Sequence, residues 1–145
     1  MGRIMAIDYG QKRTGIAVTD ELRLFATGLT TVPSASVIAF LQKYFDEQTV
    51  DVIVVGLPRQ LNNTPSDAQR FTEPFVKKLQ KHFPNVVVER FDERFTSRMA
   101  QDAILQAGLK KKARQNKQLV DTVSATLILQ SYMHMLAFQN KHSLS

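Results

Sequence analysis

Four acidic residues occupy positions from which folding could bring their carboxylates together. Asp8 ends an apolar segment just before Gly10, Asp92 and Glu93 end a second apolar segment, and Asp121 lies in the first turn of the last helical segment. Strand ends meet at one edge of an open sheet, where ligands usually bind. Carboxylate oxygens are hard ligands that suit Mg²⁺ or Mn²⁺, and two such ions can stabilise the attacking and leaving oxygens of a phosphoryl displacement. The acids therefore indicate metal-dependent hydrolysis of a phosphodiester.

Each acid also has a purely structural interpretation. Asp8 could close a turn before Tyr9-Gly10. Glu93 could pair with Arg94 or Arg90, and Asp121 could stabilise a helix N-terminus through the helix dipole. A functional role is favoured for Asp8, because a charge in an apolar strand is costly to bury unless it is paired or bound to a metal.

The hydrophobic pattern predicts an α/β fold. Short apolar segments indicate strands, and apolar residues at helical spacing indicate helices. Strands are predicted at residues 3–9, 14–19, 27–32, 51–55 and 86–91, and helices at 34–48, 66–83, 96–107 and 119–138. This order predicts a mixed five-stranded sheet, an antiparallel meander followed by parallel strands, flanked by helices. We expect one domain over residues 1–139 and a C-terminal tail over 140–145.

Two local features refine the predicted helices. Ser34 or Ser36 is expected to cap the first helix, since a serine hydroxyl can bond a free amide of the first turn. Pro74 falls inside the second helix, where it removes a backbone donor. We therefore expect a kink or a restart there.

Composition narrows the possible functions. The chain has 19 Lys and Arg against 13 Asp and Glu, a formal net charge of +6, which suits a polyanionic partner such as nucleic acid. It has no cysteine, which excludes disulfides, thiolate catalysis and cysteine-ligated zinc and agrees with a cytoplasmic location. No apolar run approaches the length of a membrane span.

The basic residues lie in one dense cluster and in the segments around the candidate acids. The densest cluster precedes the helix that carries Asp121 and comprises Lys110, Lys111, Lys112, Arg114 and Lys117. Further basic residues lie in the segments around the acids: Lys12, Arg13, Arg59, Arg70, Arg94 and Arg98. A lysine run is often only a solvated loop, but its place beside a candidate ligand favours phosphate contacts, which position a nucleic acid without reading its sequence.

Four motifs, in order along nearly the whole chain, resemble those of the YqgF family, also called RuvX. Residues 8–17 read DYGQKRTGIA and resemble the opening motif, and Gly56-Leu57-Pro58 with Thr64 and residues 68–70 resembles the second. Residues 92–97, DERFTS, resemble the third, and residues 121–132 resemble the fourth. Asn63 stands where family members usually have glycine, although asparagine tolerates the left-handed conformation.

The resemblance implies a ribonuclease-H-like fold related to the Holliday-junction resolvase RuvC. It implies a nuclease that matures the 5′ end of precursor 16S ribosomal RNA, or a resolvase acting on branched DNA. The implied ligands of the metal ions, Mg²⁺ or Mn²⁺, are Asp8, Glu93 and Asp121. Asp92 is the reserve for the middle position, because strand alternation lets only one of the pair face the site.

Three questions stay open at the level of sequence. A nucleic-acid-binding module without catalysis is an alternative, although all three acids are present. The Asp8-x-Gly10 turn also resembles a phosphate loop of actin-like ATPases, but the chain has no second such unit. A resolvase should be a two-fold dimer, whereas an RNA-processing nuclease could act as a monomer, so both monomer and homodimer are allowed.

Overall fold

A five-stranded mixed sheet forms the centre of the protein, which was analysed as a computed structural model. The structure describes residues 2–57, 69–92 and 117–143. The strands are β1 (Arg3–Tyr9), β2 (Arg13–Thr19), β3 (Ala26–Pro33), β4 (Val50–Leu57) and β5 (Val87–Asp92), in the spatial order β3-β2-β1-β4-β5. The first three strands are antiparallel neighbours, and β4 and β5 run parallel to β1. The predicted α/β fold is confirmed.

Helices cover both faces of this sheet. A short 3₁₀ helix, Ser34–Ser36, leads into α1 (Val37–Glu47), and α2 (Gln69–His82) follows β4. The last helix, α3 (Lys117–Ser143), continues past residue 139, where we expected the tail to begin. The helix predicted over residues 96–107 lies outside the described residues. Within the described part of the chain, no helix is long and apolar enough to cross a membrane.

The sheet buries apolar side chains on each face because its central strands alternate between two cores. Met5 and Ile7 of β1 belong to the core beneath α1 and α2, with Leu41 of α1. Ile4 and Ala6 belong to the core beneath α3. Since successive strand residues point to opposite faces, the odd positions of β1 face α1 and α2, and the even positions face α3.

Strand β4 is buried on both faces, as its continuous apolar run predicts. Ile53, Val54 and Val55 are each fully buried, and Val54 belongs to the α3 core while its two neighbours belong to the opposite core. A run without polar residues is typical of a strand covered on both sides in parallel pairing. Its position between β1 and β5 satisfies that pattern.

The expected capping of the first helix is wrong. Neither Ser34, at the start of the 3₁₀ turn, nor Ser36, which precedes α1, makes a side-chain cap hydrogen bond. The hydroxyl of Ser34 donates instead to the carbonyl of Gly10. The expected restart at Pro74 is also wrong, because α2 runs continuously through that residue.

Truncation of Leu41 should test the core beneath α1 and α2. Leu41 is fully buried, so Leu41→Ala removes apolar contacts and leaves a cavity, and we expect a loss of about 2–5 kcal/mol in the free energy of unfolding. Urea unfolding measures it. Gln42→Ala, at an exposed position of the same helix, is the control and should change stability by less than about 0.5 kcal/mol. Equal effects of the two variants would contradict this account of the core.

Candidate functional site

Asp8 lies in the middle of a row of residues that crosses the whole sheet. It pairs with Gly15 of β2, and Gly15 pairs with Thr31 of β3. On the other side, Ile7 pairs with Val55, so Asp8 is level with the next residue of β4, Gly56, which pairs with Phe91 of β5. The neighbours of Asp8 on both sides are therefore glycines. Neither contributes a side chain to the surface around the carboxylate.

The side chain of Asp8 shares the α3 face of the sheet. Ala6, two residues earlier, packs in the α3 core, and residues two apart in a strand point to the same face. Asp8 is half-buried and is the last residue but one of β1. Since β1, β4 and β5 are parallel, their carboxyl ends meet at this edge, the place where open α/β sheets bind ligands.

The beginning of α3 is fixed to the same row. The hydroxyls of Thr122 on α3 and Thr31 on β3 share a hydrogen bond of 2.6 Å. A Cβ built on Gly28 would lie 2.6 Å from the methyl group of Thr122, so the glycine allows a close approach of helix to strand. Asp121 immediately precedes Thr122, which places its backbone at the end of α3 that crosses this row; its side chain lies outside the described residues.

On the opposite face, an aromatic pair holds the end of β1. Tyr9 stacks on Phe75 of α2, with ring centroids 4.1 Å apart and an interplanar angle of 11°. Such stacking adds to the energy of area burial. The residue next to Asp8 is thus fixed to α2 while Asp8 itself faces α3, which restricts rotation of the strand end.

Ser34 clamps the turn that follows β1. Its hydroxyl donates to the carbonyl of Gly10 at 2.6 Å, and its amide donates to the carbonyl of Lys12 at 3.0 Å. Its oxygen lies 2.8 Å from the hydroxyl of Thr14, which must be the donor because the Ser34 proton is already used. The turn is closed by the amide of Gly10 donating to Arg13. The basic turn beside Asp8 is therefore held in one conformation.

The side chains of β5 point alternately to the two faces of the sheet. Phe91 packs in the α3 core, and Glu89 accepts a hydrogen bond from the hydroxyl of Tyr132 on α3. Burial of Tyr132 and its bond to Glu89 both raise the pKa of the phenol, so it stays protonated. Arg90, between them in sequence, forms two hydrogen bonds of 2.8 and 2.9 Å with Glu73 of α2. The odd positions of β5 thus face α3.

The described residues contain part of the predicted ligand set. Asp8 is described in full, Asp92 ends β5 and Asp121 lies on α3, both as backbone, and Glu93 lies outside the described residues. Among the side chains that the structure describes, no group of three or more Asp, Glu, His or Cys residues is arranged to hold a metal ion. The set of three ligands stays a prediction.

Of the basic residues predicted to contact nucleic acid, the structure also describes only a part. Lys12 is exposed in the clamped turn, and Arg13 is half-buried at the start of β2. Arg70 is the second residue of α2 and Lys117 is the first residue of α3, and both are described as backbone only. The remaining predicted contacts lie outside the described residues: Arg59, Arg94, Arg98, Lys110, Lys111, Lys112 and Arg114.

Sequence reasoning missed the residues that position Asp8. Ser34 was interpreted only as a helix cap, and the hydrogen bond between Thr31 and Thr122 spans 91 positions, so no local pattern reveals it. The two glycines beside Asp8 did carry a signal, because glycine inside a strand often marks a close approach of backbone or ligand.

Removal of the Ser34 hydroxyl should loosen the turn beside Asp8. Ser34→Ala leaves the buried hydroxyl of Thr14 without this partner, and we expect a loss of about 1–3 kcal/mol in the free energy of unfolding. Amide hydrogen exchange at Gly10 should accelerate. Ser36→Ala, which removes no cap bond, is the control and should change neither quantity. Unchanged exchange at Gly10 in Ser34→Ala would contradict the role of Ser34 in holding this turn.

Comparison with known proteins relates this architecture to one family. The family model described as "RuvX: Holliday junction resolvase" matches residues 2–135. A protein of Bacteroides thetaiotaomicron, named "Putative pre-16S rRNA nuclease", is 54% identical over 138 residues, which cover 95% of this chain and all of the relative. A Phocaeicola vulgatus protein of the same name is 56% identical over 133 residues, which cover 92% of this chain and 96% of the relative.

A solved structure confirms the predicted fold class. RuvC of T. thermophilus, in complex with a Holliday junction substrate, aligns over 93% of this chain and 96% of its own, with a TM-score of 0.59 and 15% identity. At that identity the likeness concerns the fold alone, which is ribonuclease-H-like. The family model and the close relatives span almost the whole chain, and the chain belongs to the RuvX family.

Proposed function

We propose that the protein is a nuclease that hydrolyses phosphodiester bonds with the aid of divalent metal ions and processes the 5′ end of precursor 16S ribosomal RNA. The observation that carries the proposal is the placement of Asp8. Its carboxylate faces α3 between two glycines, at the edge where three parallel strands end. The names of the close relatives support the RNA substrate.

The residues at this edge suit a hard cation. Asp8 supplies carboxylate oxygens, which are the ligands that Mg²⁺ or Mn²⁺ prefer, and the glycines beside it in β2 and β4 add no side chains of their own. Asp121 would be the second ligand, because its neighbour Thr122 is bonded to the row of Asp8. When bound, a pair of such ions stabilises charge on the attacking and leaving oxygens of the phosphoryl group.

The middle ligand in this proposal is Glu93, with Asp92 as the reserve. Glu89 and Phe91 are the residues of β5 that contact α3 or its core, and position 93 would continue that alternation. Even-numbered positions point to the other face, as Arg90 does, which pairs there with Glu73 of α2. The alternation thus favours the odd-numbered acid as the partner of Asp8.

Basic residues would hold the nucleic acid against this edge. Lys12 or Arg13, in the turn clamped by Ser34, would contact the scissile phosphate, and a fixed turn lowers the entropic cost of that contact. The lysine-rich segment before α3 would contact flanking phosphates, which positions structured RNA without reading its sequence. Precursor ribosomal RNA implies a cytoplasmic location.

Resolution of branched DNA is the second candidate function. The description of the family model favours it, as does the complex of RuvC, a protein of the same fold, with a Holliday junction. A resolvase cuts two strands symmetrically and would act as a two-fold dimer. The two candidates use the same acids and differ in substrate, so the same set of variants tests both. A binding module without catalysis would leave both substrates intact.

Replacement of Asp8 by asparagine should abolish cleavage and preserve the fold. Asp8→Asn keeps size and removes the charge that holds the cation, so we expect the rate to fall by at least about 100-fold. Cleavage of a precursor 16S RNA fragment and of a four-way DNA junction, each with Mg²⁺ or Mn²⁺, measures it. Asp46→Asn, at an exposed position of α1, is the control and should retain activity.

Two outcomes would contradict the nuclease assignment. One is equal cleavage by Asp8→Asn and the unaltered protein. The other is binding of both substrates by the unaltered protein with no cleavage in either ion, which would favour the binding module. Cleavage of the RNA but not the junction would support the first candidate, and the reverse would support the second.

The alternation of β5 predicts different effects at Asp92, its last residue, and at Glu93, the next residue in the sequence. Glu93→Gln should lower the cleavage rate by at least about 100-fold, as a lost ligand would. Asp92→Asn should keep the rate within about threefold, since that residue has the opposite parity in the strand. Circular dichroism of both variants controls for folding. Loss of activity in Asp92→Asn with activity retained in Glu93→Gln would reverse the assignment.

A further inference from the structure

The loop between β2 and β3 exposes three large apolar side chains. Leu22, Leu24 and Phe25 have 71%, 61% and 71% of their surface accessible to solvent. Together they expose on the order of 400 Å², as much as the largest apolar patch on a typical monomer. Such patches often mark interaction sites, and nothing in the proposed nuclease chemistry uses this one.

The exposed carboxylate of Asp20 holds the backbone of this loop. The carboxylate of Asp20 accepts hydrogen bonds from the amides of Phe25, Leu24 and Leu22, at 2.8, 2.8 and 3.2 Å. The amide of Phe25 and then those of Leu24 and Leu22 lower the pKa of Asp20, so the carboxylate stays charged. The backbone that carries the three apolar residues is therefore fixed.

Arg23 adds a second constraint from within the loop. Its φ of 58° lies in the left-handed region, which residues other than glycine adopt at an energetic cost. The conformation directs the guanidinium back to the sheet, where it donates to the carbonyl of Gly2 at 2.8 Å and to Asp51 at 3.0 Å. These bonds fix Arg23 to the sheet, while Leu22 and Leu24 on either side of it are exposed.

An apolar cavity opens beside the loop. It is lined by Ile4, Arg23, Met133, Leu136 and Ala137 and has a volume of about 230 Å³. Apolar cavities of roughly 150 Å³ accept a benzene ring, so this one can accept the ring of a phenylalanine. Arg23 belongs to both features, which places the cavity next to the protruding side chains.

We propose that this face is the interface of a two-fold dimer, in which Phe25 of each protomer occupies the cavity beside Arg23 of the other. A two-fold axis brings the same surface of two copies together, so a protrusion must meet a complementary depression on that same surface. The loop and the cavity satisfy this requirement within one chain. Leu22 and Leu24 pack around the inserted ring and exclude water from it.

The size of the contact makes the dimer reversible. Two exposed apolar patches of about 400 Å² bury roughly 800 Å² before the cavity rims are added, which is below the standard size of about 1,200 Å² and in the range of weak, transient interfaces. The net charge of +6 on each protomer opposes association, and added salt screens it. We therefore expect a monomer–dimer equilibrium that shifts with protein concentration and strengthens with salt.

The interface lies away from the proposed site. The loop follows Thr19 at one end of β2, and Asp8 pairs with Gly15 near the other end. Gly15 and Thr19 are four positions apart along β2, which corresponds to roughly 13 Å. Dimerisation would leave the Asp8 edge open in both protomers, so the dimer and the nuclease assignment can be tested separately.

Sedimentation velocity of the full chain over a concentration series tests the proposal. The unaltered protein should form dimers as its concentration rises. Phe25→Asp and Ala137→Lys, at two exposed positions, should each raise the dissociation constant at least tenfold. Val87→Asp, at a residue 54% exposed on β5, is the control and should leave the constant unchanged. Circular dichroism checks that each variant is folded.

A mixture of the two variants provides the decisive measurement. In a dimer of Phe25→Asp with Ala137→Lys, one contact pairs the new carboxylate with the new ammonium and the other keeps the original phenylalanine in the original cavity. The mixture should therefore form dimers where neither variant does alone. A mixture that stays monomeric, or an unaltered protein that stays monomeric at all concentrations, would overturn the proposal. So would unchanged dimerisation of Phe25→Asp.

Discussion

The register of β1 between its two neighbours is the constraint on which the rest of the structure depends. Both faces of this strand are buried, so a shift of one residue would exchange the side chains of the two cores. That shift would also turn Asp8 from the α3 face to the face that Tyr9 now occupies. The same packing energy that selects the fold therefore selects the direction of the carboxylate.

Contacts from three elements reinforce that direction. Tyr9 stacks on α2 on one face, Thr122 of α3 is bonded to the row of Asp8 on the other, and Ser34 fixes the turn beyond the strand. Each contact is worth only about 1 kcal/mol. Their combined effect is to restrict the end of β1, as the proposed site for cations and phosphate would require.

The two ends of the sheet differ in chemistry. The end with Asp8 carries carboxylates and a basic turn. The end with the loop after β2 carries apolar side chains on a backbone held by Asp20 and Arg23. In the proposed function the polar groups at the first end bind a polyanion, and the proposed contacts between copies lie at the second end. The two proposed roles would therefore use separate ends of one small sheet.

Much of this protein could be predicted from local sequence. Alternating and continuous apolar runs predicted the five strands, because burial of a sheet face imposes a period of two. Asp8 was recognisable as an acid at the end of such a strand, and the motifs identified the family. The tertiary structure alone decided that Gly15 and Gly56 flank Asp8 and that Thr122 is bonded to the same row, because these contacts join distant segments of the chain. It also decided that Ser34 clamps a turn and caps no helix: a hydroxyl bonds whatever acceptor folding brings within reach, and its own sequence neighbours do not specify that acceptor.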